Sequence, residues 1–126
     1  MAVLDSSAII HILNGTEKGK QIEERFADEL ISTTSISINE VLIGLTKTER
    51  GLIMPFVKGL EVLPFDEAAA FKSIELEDFL RSKGKPIGKH DIFIASICLV
   101  HELSLVTTDK DFNNVPGLKL LTRLFL

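Results

Sequence analysis

The chain has 126 residues, of which 45% are hydrophobic, and it carries 14 Lys plus Arg against 18 Asp plus Glu for a formal net charge of −4. This size and apolar content predict a single globular domain over residues 1–126 and exclude an intrinsically disordered chain. The acidic balance is unusual for a nucleic-acid-binding protein, which as a rule has an excess of Lys and Arg. No apolar run approaches the roughly 18 residues of a membrane span. The single Cys98 excludes an internal disulfide, so we expect a cytoplasmic protein with no membrane partner.

Short apolar segments alternate with helical patterns along the chain. The predicted strands are residues 2–4, 31–34, 60–64, 103–107 and 118–121. The predicted helices are residues 8–13, 17–29, 37–45, 50–58, 66–83 and 92–102, with a turn or short helix at 109–114. The helix at 92–102 is apolar on nearly every face and should be central. This alternation predicts an α/β sandwich around a mostly parallel sheet.

Three aspartates follow or begin these elements. Asp5 follows the first strand, Asp109 follows the strand at 103–107, and Asp91 stands at the first position of the central helix. Ligands of parallel α/β sheets bind beyond the carboxyl ends of the strands, so chain direction alone sends Asp5 and Asp109 to one crevice. Asp91 joins them if the N-terminus of its helix packs there.

Glu40 is the fourth candidate. It points away from the apolar stripe of its own helix, so it faces either water or a cleft. Converging carboxylates with no Lys or Arg between them repel one another and stay ionised only around a cation. Carboxylates are hard oxygen ligands, which favour Mg²⁺ or Mn²⁺. Such an ion suits phosphodiester hydrolysis, because it makes hydroxide from bound water and neutralises charge on the phosphate.

Each acid also has an ordinary structural interpretation. Asp5 fits the N-cap of the helix that follows it, and Asp91 fits a favourable charge in a first helical turn. The pattern S-x-x-E that ends at Glu40 fits a capping box, which on spacing alone is the favoured interpretation. Asp109 and Asp111 fit turn residues, and for Asp111 this is the favoured interpretation. The acids point to a metal site only as a set.

Other chemistries find less support. His11 and His101 lie in or beside apolar helical stretches, with no Cys or second His at metal-ligand spacing. Cys98 is flanked by apolar residues and is predicted to be buried and inert. No glycine-rich phosphate-binding loop is present.

The chain has one local basic cluster, which leads into Asp91. Its members are Arg81, Lys83, Lys85 and Lys89. It fits either a solvated helix end or a set of contacts to a phosphate backbone. Lys110, beside Asp109, belongs to the second interpretation.

Four short segments follow one another along the chain in a recognisable order. They are V-L-D-S-S near the N-terminus, I-S-I-N-E-V-L-I-G from Ile36, G-K-P-I-G-K-H-D-I-F-I-A-S around Asp91, and L-V-T-T-D-K-D-F around Asp109. Together, in this order, they resemble the PIN domain. More narrowly, the chain is similar to the small VapC-type toxins of toxin–antitoxin pairs, from Ala2 to about Leu121. The family fold is a three-layer α/β/α sandwich with a central parallel sheet, in agreement with the pattern above.

The resemblance implies a metal-dependent endoribonuclease that cuts single-stranded or loop RNA. The residues it assigns to Mg²⁺ or Mn²⁺ and to catalysis are Asp5, Glu40, Asp91 and Asp109. Ser6 and Thr107 match polar residues that support the site, whereas His90 matches no catalytic position. The candidate RNA contacts are Lys83, Lys85, Lys89 and Lys110. The resemblance also implies a homodimer and a cognate antitoxin protein whose tail occupies the cleft.

Three other functions stay open on the sequence. The first is a PIN-type RNA processing or decay nuclease outside a toxin–antitoxin pair, and the second is a PIN scaffold that binds without catalysis. The third is a receiver-like Mg²⁺-binding signalling domain. Such a domain needs adjacent acids after the first strand, whereas here Asp5 is followed by Ser6.

The proposed metal ligands account for the acidic net charge. One or two divalent ions would contribute about +2 to +4, which offsets much or all of the charge of −4.

Overall fold

The computed structural model describes residues 2–121, so residues 1 and 122–126 of the predicted domain lie outside it. A parallel sheet of four strands has the order β3-β2-β1-β4. The strands are β1 (Ala2–Leu4), β2 (Ile31–Thr34), β3 (Glu61–Leu63) and β4 (Ser104–Val106). The helices are α1 (Ser6–Leu13), α2 (Glu17–Arg25), α3 (Ser35–Ile43), α4 (Lys47–Lys58), α5 (Glu67–Ser82) and α6 (Lys89–His101), followed by a short 3₁₀ helix (Lys110–Asn114). The predicted α/β fold class is confirmed.

Helices cover both faces of the sheet. Val3 and Leu105 belong to an apolar cluster with α5 and α6, whereas Ala2, Leu4 and Val106 belong to a second cluster with α1 and α2. Successive residues of a strand point to opposite faces, so these two clusters are the two sides of the sheet. The sandwich therefore has three layers. Helix α6 buries six consecutive or near-consecutive residues, Ile92, Ile94, Ala95, Ser96, Ile97 and Cys98, and is central as predicted.

The order in which strands are added to the sheet reverses at β1. From β1 the chain moves outward through β2 to β3, and β4 then pairs with the other edge of β1. Leu4 is in register with Val106, and the Asp5 amide donates to the Val106 carbonyl at 3.2 Å. Such a switch point opens a crevice beyond the carboxyl ends of the two strands. The residues that follow β1 and β4 therefore lie side by side.

Two expectations about helix starts were wrong. Helix α3 begins at Ser35, and its N-cap is Thr34, whose hydroxyl accepts from the Ser37 amide at 3.0 Å. The capping box that we predicted at Glu40 does not form, because β2 runs directly into the helix and Thr34 takes the cap. Helix α6 begins at Lys89, so Asp91 is its third residue rather than its first.

Other element ends also differ. Helix α2 ends at Arg25, four residues earlier than predicted, and α4 begins at Lys47, three residues earlier. The last predicted strand, residues 118–121, is reduced to a single parallel bridge between Leu120 and Leu105. Within residues 2–121, no helix is long and apolar enough to cross a membrane.

Candidate metal centre

Asp5 is fixed at the end of β1 by three donors. It is only 2% exposed. Its Oδ1 accepts from the Ala8 amide at 2.9 Å and from the Ser7 hydroxyl at 2.7 Å, and its Oδ2 accepts from the Thr107 hydroxyl. Burial raises the pKa of Asp5, although the three hydrogen bonds oppose that rise. Asp5 is thus the N-cap of α1, and it also faces the crevice where β4 ends.

Thr107 joins the ends of β1 and β4. Its hydroxyl donates its proton to Asp5, and the same oxygen accepts from the Asp109 amide at 2.9 Å. The Ser7 hydroxyl likewise donates to Asp5 and accepts from the Thr108 amide at 3.0 Å. Two hydroxyl groups therefore hold the segment after β4 against the Asp5 carboxylate.

Three carboxylates meet next to this junction. One oxygen each from Asp91, Asp109 and Asp111 lies within 4.8 Å of the other two. Asp91 comes from the first turn of α6, and Asp109 caps the 3₁₀ helix by accepting from the Asp111 amide at 2.9 Å. Asp111, interpreted from sequence as a turn residue, therefore belongs to the group. The available signal was its position two residues after Asp109, inside one helical turn.

Desolvation and neighbouring negative charge act together on Asp91. Burial, then the charge of Asp109 and a hydrogen bond with it, then the charges of Glu40 and Asp5, raise the pKa of Asp91 to about 7. Within residues 2–121, no Lys or Arg forms an ion pair with any of the three clustered aspartates. A donor set made only of carboxylate oxygens, with its repulsion uncompensated, fits a hard divalent cation.

Glu40 lies beside Asp91 but outside the group of three. Its Oε1 accepts from the Ser6 hydroxyl at 3.1 Å, and its Oε2 accepts from the His90 Nδ1 at 3.2 Å. Glu40, His90 and Asp91 line one cavity of about 370 Å³ with Gly88 and Lys89. The structure therefore brings Glu40 to the Asp91 side of the crevice. His90 is a residue that sequence reasoning did not assign, because its contact with α3 spans 50 positions of the chain.

The basic cluster divides in two. Lys89 lies 2.8 Å from the Glu77 carboxylate, which Arg81 also approaches at 3.5 Å. Lys83 places its ammonium 5.6 Å from the centre of the Phe79 ring, and neither Lys83 nor Lys85 has a carboxylate partner in the described part of the chain. Lys110 is exposed on the 3₁₀ helix.

The remaining candidates lie apart from this chemistry. Cys98 is fully buried, and burial raises the pKa of its thiol to about 12, as expected for an inert cysteine. The His11 Nδ1 contacts the Thr16 hydroxyl at 2.8 Å, at the start of α2, and His101 is exposed.

Comparison with known proteins identifies the family to which this fold belongs. The PIN domain family matches residues 2–118, and the chain belongs to that family. Ribonuclease VapC5 of Mycobacterium tuberculosis is 28% identical over 91% of this chain and 87% of its own length. The tRNA(fMet)-specific endonuclease VapC of Salmonella typhimurium is 30% identical over 94% of each chain.

Solved structures agree with these relatives. VapBC2 of Rickettsia felis, crystallised with a DNA fragment from its promoter, superposes with a TM-score of 0.81 and 27% identity over 94% of this chain and 96% of that chain. VapBC-5 of Mycobacterium tuberculosis, a member of the VapBC family of toxin–antitoxin systems, gives a TM-score of 0.74 and 25% identity over 94% of this chain and 96% of that chain. The resemblance drawn from four short sequence segments is therefore confirmed.

Proposed function

We propose that this PIN domain is a divalent-metal-dependent endoribonuclease and the toxin of a toxin–antitoxin pair. The observation that carries the proposal is the convergence of Asp91, Asp109 and Asp111 within 4.8 Å beside the buried Asp5, with no cation paired to them among residues 2–121. Relatives that bear the names ribonuclease and endonuclease over most of the chain support the reaction class. A structural neighbour from a toxin–antitoxin system supports the biological role.

The proposed ion is Mg²⁺ or Mn²⁺, because carboxylate and water oxygens are its preferred ligands. Asp5, Asp91 and Asp109 are proposed as its ligands together with Glu40, and Asp111 is added because it completes the cluster. When bound, such an ion lowers the pKa of a water and offsets charge on the phosphate.

Hydrogen bonds within the chain hold the two carboxylates of Asp5 and Glu40 in place for the reaction. Thr107 and Ser7 fix the Asp5 carboxylate in one position, so it does not have to be ordered when substrate arrives. We assign to Glu40 the role of general base, which takes a proton from the attacking water. It lies outside the three clustered aspartates, and the hydrogen bonds from Ser6 and His90 hold both of its oxygens at the wall of the cavity.

The proposed substrate is single-stranded or loop RNA. Within residues 2–121, Lys83, Lys85 and Lys110 form no ion pair and can therefore meet phosphates, whereas Lys89 shares the Glu77 carboxylate and is a weaker candidate. The net charge of −4 implies poor RNA binding without a divalent ion.

The proposed protein partners are an antitoxin and a second copy of this chain. An apolar groove of about 400 Å³ runs between α1, α3 and α4 and reaches Glu40. Two apolar residues that line the groove are exposed to solvent, Ile10 by 45% and Leu52 by 77%. The groove therefore suits the apolar face of an antitoxin tail that ends at the carboxylates. The homodimer stays a prediction, to be checked by light scattering of the isolated protein.

One cleavage experiment tests the proposal. Labelled single-stranded RNA is incubated with the protein in Mg²⁺ or Mn²⁺ and in chelator, beside Asp5→Asn, Asp91→Asn and the exposed control Asp78→Asn. We expect metal-dependent cleavage by the wild type and by the control only. Cleavage that persists in chelator and in both site variants would remove the metal centre from the mechanism. Circular dichroism of each variant checks that loss of activity is not loss of folding.

Two alternatives have their own outcomes. Metal binding without cleavage of any RNA would identify a PIN scaffold that binds without catalysis. Cleavage with no growth arrest on expression, and no neighbouring gene whose product restores growth, would identify a processing or decay nuclease.

A further inference from the structure

A second cleft lies between the C-terminal end of α5 and the C-terminal end of the 3₁₀ helix. Its volume is about 340 Å³, within the range of roughly 300–1,000 Å³ that is usual for ligand sites. Two lysines, Lys83 and Lys85, and two amides, Asn113 and Asn114, line it together with Phe79, and none of the lining residues is acidic. We call this cleft the lysine–asparagine cleft.

The two lysines reach it through a tight turn. Lys83 is the C-cap of α5, and Gly84 follows at φ +67°, a left-handed conformation that glycine adopts without strain. The Lys85 amide then donates to the Leu80 carbonyl at 2.9 Å, which closes the turn. The Lys83 ammonium lies over the Phe79 ring, 5.6 Å from its centre. Both lysines therefore line one opening, and the Phe79 ring locates the Lys83 ammonium there.

Other cations of α5 and its surroundings are used differently. Lys72 pairs with Glu75, and Arg81 and Lys89 share Glu77. Lys83 and Lys85 have no acidic partner in the part of the chain that the structure describes, so their charge is available to an anionic ligand.

The cleft shares two walls with the metal centre. The loop at residues 84–88 carries Lys85 into the cleft and Gly88 into the cavity beside Asp91. The 3₁₀ helix carries Asp111 into the carboxylate group and Asn113 into the cleft, only two residues later. The same two segments of the chain therefore contribute to the carboxylate group and to the cleft, which makes the cleft a neighbour of the metal centre.

We propose that the lysine–asparagine cleft binds the RNA backbone next to the scissile phosphate, an inference that rests on the proposed function. The ammonium groups of Lys83 and Lys85 meet phosphate oxygens, which fixes register without reading sequence. The amides of Asn113 and Asn114 can both donate and accept, as a ribose 2′-hydroxyl requires. The cleft therefore positions single-stranded RNA for the cut and favours it over DNA.

The test compares two double variants of equal charge. Lys83→Ala/Lys85→Ala removes the cleft cations, and Lys20→Ala/Lys58→Ala removes two exposed lysines that line neither the cleft nor the metal cavity. At about 50–100 mM salt, we expect Lys83→Ala/Lys85→Ala to raise KM for single-stranded RNA roughly tenfold and to leave kcat nearly unchanged. Its slope of log(kcat/KM) against log salt should fall by about 1.4, or about 0.7 per lost phosphate contact. The control should match the wild type in both.

The amides supply an independent measurement. In a Glu40→Gln background, which removes the proposed general base so that the RNA is not cut, Asn113→Ala/Asn114→Ala should weaken binding of single-stranded RNA in Mn²⁺, measured by fluorescence anisotropy, and leave binding of DNA of the same sequence unchanged. This binding assay does not need turnover.

The outcomes separate the two proposals. A wild type that binds RNA through the cleft but never cuts it would refute the proposed function and keep this inference. A wild type that cuts RNA, with unchanged KM and salt slope in the lysine variant, would overturn the inference alone. If the lysine variant loses binding to an acidic antitoxin peptide but still cuts RNA like the wild type, the inference is also overturned, and the cleft is assigned to a protein partner.

Discussion

Replacing Asp91 with Asn should stabilise the metal-free protein above pH 7 while it abolishes RNA cleavage. In the folded protein, desolvation and the charge of Asp109 raise the pKa of Asp91 from 3.8 to about 7. Between these values the folded state binds a proton that the unfolded chain does not, so stability falls as pH rises from about 4 through 7. Asparagine imitates the neutral form and has no such fall.

The expected size follows from the same shift. Each unit of pKa difference corresponds to about 1.4 kcal/mol, and the half-exposed position of Asp91 allows water to screen much of it. We therefore expect Asp91→Asn to gain about 1–2 kcal/mol at pH 8, or roughly 3–10 °C in Tm for a chain of this length. At pH 5 the gain should be less than half of that at pH 8, and it should vanish only below about pH 4, where Asp91 is protonated in the folded and the unfolded state alike.

Thermal melts from pH 5 to 8, in chelator and in Mn²⁺, provide the assay. Mn²⁺ should stabilise the wild type more at pH 8 than at pH 5, since protons compete with the ion, and should leave Asp91→Asn unchanged. Asp78→Asn, an exposed change on α5, controls for net charge alone. If Asp91→Asn is no more stable than the control at pH 8 in chelator, the uncompensated repulsion in the carboxylate group is refuted.

Three further changes test the parts around this group. His90→Ala should lower kcat at unchanged KM, and His90→Asn should keep part of the kcat that His90→Ala loses. In a Glu40→Gln background, His90→Ala should cause no further loss of kcat. Additive losses would mean that His90 does not act by positioning Glu40. Thr107→Val removes a buried hydroxyl that serves two partners and should cost about 1–3 kcal/mol in urea unfolding together with weaker Mn²⁺ binding; a neutral result would contradict its role at the strand junction. Gly19→Ala should destabilise the fold by about 1–3 kcal/mol, because the added carbon would lie 2.1 Å from the His11 carbonyl oxygen of α1. Gly51→Ala, whose added carbon meets open space, should instead stabilise the fold by up to about 1 kcal/mol. Equal melting temperatures of these two variants would refute the close packing of α1 on α2.

The local parts of the fold were predictable because their signals lie within a few residues. Strands β1 and β2 match their predicted bounds, and the central helix α6 was evident from its apolar composition. The last strand was not, because residues 118–121 have the alternation of a strand but only Leu120 finds a pairing partner. The capping box at Glu40 failed for a related reason, since Thr34 was closer to the strand end and took the cap.

The amino-acid sequence by itself determined the layered α/β architecture, the family resemblance and the placement of Asp5 and Asp109 beyond the ends of parallel strands. These follow from hydrophobic periodicity, which fixes element type, and from chain direction, which fixes where a parallel strand ends. Only the tertiary structure decided that Asp111 joins the group, that His90 meets Glu40, and that Lys89 pairs with Glu77 while Lys83 and Lys85 stay available. Such contacts depend on the distance between side chains of different elements, and packing sets that distance.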